Sequence, residues 1–220
     1  MRILAAAFAI ALAAPAPSRA QAPKTEEEKT LYALGAVAAR SFQDFNLTAK
    51  ELEVVKRGLT DSLSGKKLQV PVADYEQKVQ EFARKRLASA AEATKAASKG
   101  YLDKAAAEKG AEKTASGLVF TSLREGAGES PKATDTVKVN YEGKLIDGKV
   151  FDSSYKRGQP VEFPLNQVIP CWTEGVQKMR AGGKARLVCP SAIAYGDQGR
   201  PPVIPGGATL VFEVELIAVK

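Results

Sequence analysis

The hydrophobic pattern of the chain changes near residue 115, and this change constrains the fold more than any other feature. Before it, apolar residues recur every three or four positions, as on one face of a helix. After it, short runs of Val, Leu and Phe alternate with polar residues between Gly, Pro and Asp turns, as in an antiparallel sheet. The 220 residues therefore predict an α+β protein, with a helical domain in residues 21–114 and a sheet domain in residues 115–220.

The first twenty residues predict a leader that is not part of the fold. Met1 and Arg2 precede the apolar run "ILAAAFAIALAA", which is too short to span a bilayer, and Ser18-Arg19-Ala20 has the small-x-small pattern of a cleavage site. We predict a signal peptide cleaved after Ala20 and an exported protein, periplasmic or secreted. The alternative is a buried N-terminal helix. No later run is apolar enough to predict a membrane span.

The helical half begins with two amphipathic segments. Thr25 with Glu28, and Thr48 with Glu51, have the spacing of a capping box, in which each side chain bonds the backbone N–H of the other residue. An apolar stripe follows each box: Leu31, Leu34, Ala38, Phe42 and Phe45, then Leu52, Val55, Leu59 and Leu63. We predict two short helices, each with one face to bury.

A long third helix is predicted from Pro71 to about Lys109. Its first half has an apolar face, but its second half, "ASAAEATKAASKGYLDKAAAEKG", is a good intrinsic helix with little to bury. Helices of this kind make too thin a core to cover three apolar stripes alone. We therefore predict a homodimer through residues 24–85. The alternative is a monomeric helical hairpin packed on the second domain.

The composition limits the chemistry that the protein can perform. The chain has no His and only two Cys, which removes the usual general base, the commonest metal ligand and any Cys-rich metal site. Carboxylate clusters with ligand spacing are also missing from the sequence. We expect neither a metal nor a cofactor. The formal net charge of +7 is spread along the chain, which argues against nucleic-acid binding.

Four motifs in the second half carry a family resemblance. "VNYEGKLIDGKVFDSS", "VIPCWTEGVQKM", "AIAYGDQG" and "GGATLVFEVELIAV" occur in the order and spacing of the FKBP-type peptidyl-prolyl cis-trans isomerases, over about residues 115–220. More loosely, the helical half resembles the dimerising segment of the Mip-like (macrophage infectivity potentiator-like) exported bacterial branch. The resemblance implies an antiparallel sheet wrapped around one short helix. It also implies an isomerase that rotates X-Pro bonds in exported proteins and assists their folding.

The same resemblance implies which residues form the site. Trp172 would be the floor on which the substrate proline ring sits. The Ile169 backbone N–H and the Tyr195 hydroxyl would hold substrate carbonyls, and Asp152 would lie near the carbonyl that twists. The other implied substrate-binding residues are Tyr141, Phe151, Arg157, Phe163, Val168, Ile204 and Phe212.

Several of these residues also have a purely structural interpretation. Tyr141 and Arg157 would orient Asp152, but Asp152 and Arg157 alone would also make an ordinary ion pair. Phe163 and Phe212 would equally serve as core residues. An isomerase of this type needs no proton transfer, which is consistent with a chain that lacks His. The resemblance further implies macrolide inhibitors as ligands of the same pocket.

Three positions depart from the common family pattern: Cys171, Arg200 in the loop over the pocket, and Val161. The last two put the preference for residues around the proline in doubt. Cys171 suggests a disulfide with Cys189, because export places both thiols in an oxidising compartment. Alternation along "KARLVCP" turns Cys189 to the core and Arg186 to solvent, and the short helix packs on that face in this family. The alternative is two buried free thiols.

A second function class competes with the enzyme. The helical arms of two copies would form a cradle for unfolded proteins, so that the protein is a holdase-like chaperone with a secondary isomerase pocket. The complete aromatic set favours the enzyme.

Overall fold

The computed structural model describes residues 22–220, so the predicted leader lies outside the described residues. The described residues divide into two compact units, with the boundary between residues 42 and 43. The first unit contains helix α1, Glu26–Ala38. Thr25 caps it through the predicted capping box: its hydroxyl accepts from the Glu28 N–H, and the Glu28 carboxylate accepts from the Thr25 N–H. No residue of α1 is buried, and Leu34 is 64% exposed.

The second unit begins with two further helices. Their bounds are Ala49–Leu63 for α2 and Glu76–Ala106 for α3. The second predicted capping box starts α2 at Thr48. The stacked rings of Phe45 and Phe82, with centroids 6.2 Å apart, and an ion pair between Glu51 and Arg86 join this region to α3. Leucines on α2 nevertheless remain exposed, Leu59 by 44%.

A seven-stranded antiparallel sheet follows α3. Its strands are β1 (Ala111–Lys113), β2 (Val119–Arg124), β3 (Thr136–Leu145), β4 (Val150–Ser153), β5 (Val161–Pro164), β6 (Lys184–Cys189) and β7 (Leu210–Val219). They lie in the order β1-β2-β6-β7-β3-β4, and β5 pairs with the other part of β3. The turn between β3 and β4 is the predicted Asp147-Gly148 hairpin, where Gly148 has a φ of 88° that favours glycine. The predicted α+β architecture is confirmed.

One face of the sheet packs on the short helix α5, Pro170–Gln177. Proline at the first helical position costs no hydrogen bond, because that N–H has no partner within a helix. The helix approaches β6 closely: a Cβ on Gly175 would lie 2.7 Å from Leu187 Cδ2. Cys171 and Cys189 form a disulfide between the two elements, with Cα atoms 5.8 Å apart and neither residue exposed. The first turn of α5 is thereby held to the sheet.

The other face of the sheet packs on the end of α3, where the sequence predicted little to bury. Ala105 is 3% exposed and lies against Val119, Val188 and Val211. The expectation for this half of α3 was wrong because alanines give no hydrophobic periodicity, although their small size allows close approach. A one-turn helix α4, Ser154–Arg157, was also not predicted, since four residues show no helical period.

The helices of residues 22–220 include none that is both long enough and apolar enough to cross a bilayer. The predicted leader is not among these residues.

Candidate active site

A pocket of about 500 Å³ opens between α5, the sheet and the loop that follows β6. Aromatic side chains form its floor and walls, and polar groups stand at its edge. The lining residues are Tyr141, Phe151, Asp152, Phe163, Gln167, Val168, Ile169, Trp172, Tyr195, Arg200 and Phe212. A mainly apolar cavity with a few polar groups is the usual form of a small binding site.

Trp172 forms the floor of the pocket and is held by three aromatic rings. Its ring is perpendicular to those of Tyr141, Phe163 and Phe212, with centroids 5.0, 5.8 and 5.4 Å away. Edge-to-face contacts of this kind are favourable and fix ring orientation. Trp172 is only 4% exposed, and its Nε1 has no hydrogen-bond partner among the described residues. The floor is therefore rigid and apolar.

The walls of the pocket are positioned by the alternation of side chains along the strands and by one glycine, Gly143. Tyr141 and Gly143 on β3 point to the same face, and Gly143 pairs with Phe212 on β7. A Cβ on Gly143 would lie 2.7 Å from the Phe151 ring and 2.9 Å from the Phe212 ring. Glycine at this position leaves room for Phe151 and Phe212 to pack edge to face, with centroids 5.6 Å apart.

A polar network stands at the edge of the aromatic cluster. The Tyr141 hydroxyl donates a 2.5 Å hydrogen bond to Asp152 Oδ2. The Ser153 N–H and the Arg157 guanidinium both donate to Asp152 Oδ1. Arg157 also donates to the Tyr141 hydroxyl at 2.9 Å and lies over the Tyr141 ring. Tyr141 and Arg157 therefore hold the Asp152 carboxylate in one orientation.

The network keeps Asp152 ionised and Tyr141 protonated. Burial acts to raise the pKa of Asp152, but the hydrogen bonds from Tyr141 and Arg157 outweigh it and lower the pKa below the ordinary value of 3.8. Burial raises the pKa of Tyr141 above 10.0, and the hydrogen bond to Asp152 raises it further. At neutral pH the edge of the pocket carries one fixed carboxylate.

The loop of residues 196–207, hereafter the pocket loop, covers one side of the site. Tyr195, directly before it, and Arg200 within it line the main pocket. Ile204 lines an adjoining cavity of about 270 Å³ together with Tyr195 and Arg200. Two backbone hydrogen bonds between Arg200 and Ile204, of 2.8 and 3.0 Å, pair the two sides of the loop.

The structure brings the implied site residues together, with two qualifications. Ile204 lines the adjoining cavity, and Arg157 reaches the site through Asp152 and Tyr141. Gln167, which lines the pocket directly before Val168, was not predicted. Its position beside the "VIP" motif was the only signal in the sequence. Arg200 was noticed as a departure from the family pattern, but it was not assigned to the site.

The side chains of residues 22–220 offer no group of three or more His, Cys, Asp or Glu that could hold a metal ion.

Two protein families match the chain, one in each half. Residues 127–217 match the FKBP-type peptidyl-prolyl cis-trans isomerase family, and residues 27–121 match the domain amino terminal to FKBP-type peptidyl-prolyl isomerase. The FKBP-type peptidyl-prolyl cis-trans isomerase FkpA of Escherichia coli (strain K12) is 39% identical over 99% of this chain and 89% of its own length. The peptidyl-prolyl cis-trans isomerase Mip of Coxiella burnetii is 37% identical over 90% of this chain and 88% of its own.

A solved structure supports the same assignment over most of the chain. The crystal structure of FkpA from Escherichia coli has a TM-score of 0.67 and 38% identity, and the match covers 90% of this chain and 99% of that one. Both structures thus have a helical half followed by a sheet half, and the match extends over nearly the whole of the FkpA chain. The chain belongs to the FKBP-type peptidyl-prolyl cis-trans isomerases.

Proposed function

We propose that the aromatic pocket is the active site and that the substrate proline ring binds on Trp172. The perpendicular packing of Tyr141, Phe163 and Phe212 around Trp172 carries this proposal. A flat, rigid and apolar floor fits a proline ring, which has no N–H to satisfy. The substrates are proline-containing polypeptides, bound in extended form at the open side of the pocket.

Catalysis by such a pocket requires only that it bind the twisted amide better than the planar one. The barrier of about 18–20 kcal/mol reflects the loss of amide resonance as the C–N bond turns. The twisted amide is less dipolar than the planar amide, so an apolar site with few donors favours it relative to water. This difference in binding lowers the barrier. About 4 kcal/mol suffices for roughly a thousandfold acceleration.

The polar groups supply orientation. We assign to the Ile169 N–H and the Tyr195 hydroxyl the binding of substrate carbonyls on either side of the proline. Asp152 lies near the carbonyl that twists, and its fixed negative charge disfavours the planar amide, whose oxygen carries partial negative charge. Tyr141 and Arg157 support this role by holding the carboxylate in place.

Direct measurement of isomerisation tests the proposal. The full-length protein is added to a short peptide with one X-Pro bond, and the cis-to-trans rate is followed. We expect acceleration that is proportional to enzyme concentration and is lost when a proline-mimicking ligand fills the pocket. Acceleration that persists while that ligand saturates the pocket would refute the assignment of the pocket. A ligand analogue without the proline-like ring serves as the control.

We further propose that residues 21–114 form a dimerisation domain and residues 115–220 the isomerase domain. The exposed leucines of α1 and α2 support a homodimer, because large apolar side chains repeated along one helix are usually covered by a partner. Sedimentation should give the mass of two chains. Leu34→Glu and Leu59→Glu should each shift the protein toward one chain, and Glu53→Gln, on an exposed side of α2, should not. A full-length protein that sediments as one chain at micromolar concentration would refute the dimer.

We also propose that the protein is exported and that its signal peptide is removed after Ala20. N-terminal sequencing of the protein from the exported fraction tests the cleavage position.

Macrolide inhibitors are proposed ligands of the aromatic pocket. The holdase-like chaperone is not favoured, since the relatives are named as isomerases and the pocket is complete. An aggregation assay beside the peptide assay would separate the two activities.

A further inference from the structure

Helix α3 buries a row of small side chains along its second half. Ala91, Ser98 and Ala105 are 0%, 1% and 3% exposed and stand seven residues apart, which places them on one side of the helix. The Ser98 hydroxyl donates to the Thr94 carbonyl, so this burial leaves no polar group unpaired. Ala105 packs on the outer face of the sheet, and Ala91 packs on the pocket loop.

The contact between Ala91 and the pocket loop is made by backbone. A Cβ on Gly207 would lie 2.2 Å from the Ala91 carbonyl oxygen, and one on Gly206 would lie 3.6 Å from the Ala91 Cβ. Gly207 also has a φ of 75°, which strains other residues. Only glycine in the loop and a small residue on α3 allow this approach. A larger side chain at position 91 must displace the loop.

The helix holds the loop at both of its ends. The Gly207 N–H donates to the Gly196 carbonyl at 2.9 Å and closes the neck of the loop beside Ala91. One helical turn further along α3, Lys95 Nζ lies 2.6 Å from Asp197 Oδ1 at the beginning of the loop. The bond between Gly207 and Gly196 closes the neck of the loop, and the contact at Ala91 and the ion pair at Lys95 hold that neck against α3.

The pocket loop forms a single layer between α3 and the active site. On the α3 side, Leu87, Ala90, Pro201 and Ile204 line a groove of about 490 Å³. On the other side, Pro201 and Ile204 line the cavity that adjoins the main pocket. No other described segment lies between the loop and the pocket, so a displacement of the neck changes the position of the residues that line the pocket.

We propose that Ala91 and Lys95 of α3 are positioning residues for the isomerase, which fix the pocket loop and thereby set the preference for the residue before proline. Neither side chain lines the pocket, and both act through Asp197, Gly206 and Gly207. The helical half thus takes part in substrate selection as well as in the proposed dimer. This inference rests on the proposed assignment of the aromatic pocket as the active site.

The experiment measures kcat/KM of the full-length protein on three peptides with Ala, Leu or Glu before proline. The Glu peptide is included because Arg200 belongs to the loop. The readout is the ratio of kcat/KM between peptides, which does not depend on the fraction of protein that is folded. Ala91→Leu should change at least one ratio by roughly threefold or more, since small displacements in a site are costly to rate. Ala97→Leu, on the exposed side of α3, should leave the ratios unchanged.

A charge exchange gives a second, milder test that applies also where Ala91→Leu does not fold. Lys95→Glu places like charges at positions 95 and 197 and should change the ratios, and the double variant Lys95→Glu/Asp197→Lys should restore them. Lys99→Glu, one turn along on the exposed face, is the matched control. Unchanged ratios in folded Ala91→Leu, or in Lys95→Glu, would overturn the inference. Asp152→Ala, measured in parallel, tests the site assignment by itself, so the two ideas can fail separately.

Discussion

The Tyr141 hydroxyl donates a 2.5 Å hydrogen bond to Asp152 Oδ2 while its ring packs edge-on to Trp172 at 5.0 Å. One side chain thus joins the floor of the pocket to the one carboxylate found among its described lining residues. If the proline ring binds on Trp172 as proposed, this connection sets the position of the charge relative to it. Substitutions at Asp152 and at Trp172 should therefore have separable effects on catalysis and on ligand binding.

Removal of the charge at Asp152 should slow catalysis without unfolding the protein. We expect Asp152→Asn to lower kcat/KM by about tenfold, which corresponds to about 1.4 kcal/mol of transition-state stabilisation. The side chain is 42% exposed, so its loss leaves no large buried cavity. The peptide assay and a thermal unfolding curve, measured together, check both parts.

Asp103→Asn, at an exposed carboxylate on α3, is the control for the charge change itself. Tyr141→Phe should give a smaller loss than Asp152→Asn, because Arg157 still holds the carboxylate. A fully active Asp152→Asn would remove Asp152 from the mechanism.

Catalysis should not depend on pH over a broad range. The pKa of Asp152 lies below 3.8 and that of Tyr141 above 10.0, so neither group titrates between about pH 5 and about pH 9. A plot of log kcat/KM against pH should be flat there. A bell-shaped profile centred near neutrality would indicate a proton transfer that this mechanism does not contain.

The same shift of Asp152 affects stability at low pH. A carboxyl whose pKa is lowered by folding stabilises the protein above its unfolded value, and this stabilisation is lost as the pH falls through the folded value. The contribution of Asp152 should therefore begin to decline below about pH 4 and be gone once the pH lies below the lowered pKa of the folded protein. The free energy of unfolding of Asp152→Asn should fall less steeply with decreasing pH than that of the unchanged protein in this range.

Trp172 should report ligand binding directly, since it is the only tryptophan in the chain. A proline peptide or a macrolide that fills the pocket should change its fluorescence emission, with saturation at one ligand per chain. Trp172→Phe removes an indole N–H that has no hydrogen-bond partner in the described part of the chain, and it keeps an aromatic floor. We expect this variant to fold and to bind ligand roughly tenfold more weakly, because the smaller ring covers less of the proline.

Trp172→Ala is a poorer test, since truncation of a buried Trp costs about 3–5 kcal/mol of stability. Titration calorimetry with Trp172→Phe supplies the affinity without fluorescence. Unchanged affinity in this variant would mean that the proline ring lies elsewhere.

The Cys171–Cys189 bridge should be present in the exported protein. Mass spectrometry under non-reducing conditions should show a chain that lacks two hydrogens relative to the reduced form, and no thiol should react with an alkylating agent after unfolding. The bridge closes a loop of 18 residues, worth about 3 kcal/mol by chain entropy. Reductant should therefore lower the unfolding temperature. The double variant Cys171→Ala/Cys189→Ala should be insensitive to reductant, and two reactive thiols in the exported protein would refute the bridge.

Local sequence patterns were enough to predict the order of helix and strand, the two capping boxes and the hairpin at Asp147-Gly148. These features depend on local periodicity and on residues that favour particular backbone angles, and both are readable within a few positions. The family motifs also indicated the aromatic residues of the pocket, because each lies inside a distinctive local pattern.

The contact between α3 and the pocket loop could not be predicted from local sequence, because it depends on how distant segments pack. Ala91 and Gly207 are separated by more than a hundred positions, and neither carries a hydrophobic signal that would predict burial. Their contact depends on the absence of side-chain atoms, which a pattern of apolar residues does not register. Gln167 likewise lines the pocket because the chain turns there after β5. Close backbone packing of distant segments follows from the fold as a whole, since it is fixed only when every layer is in place.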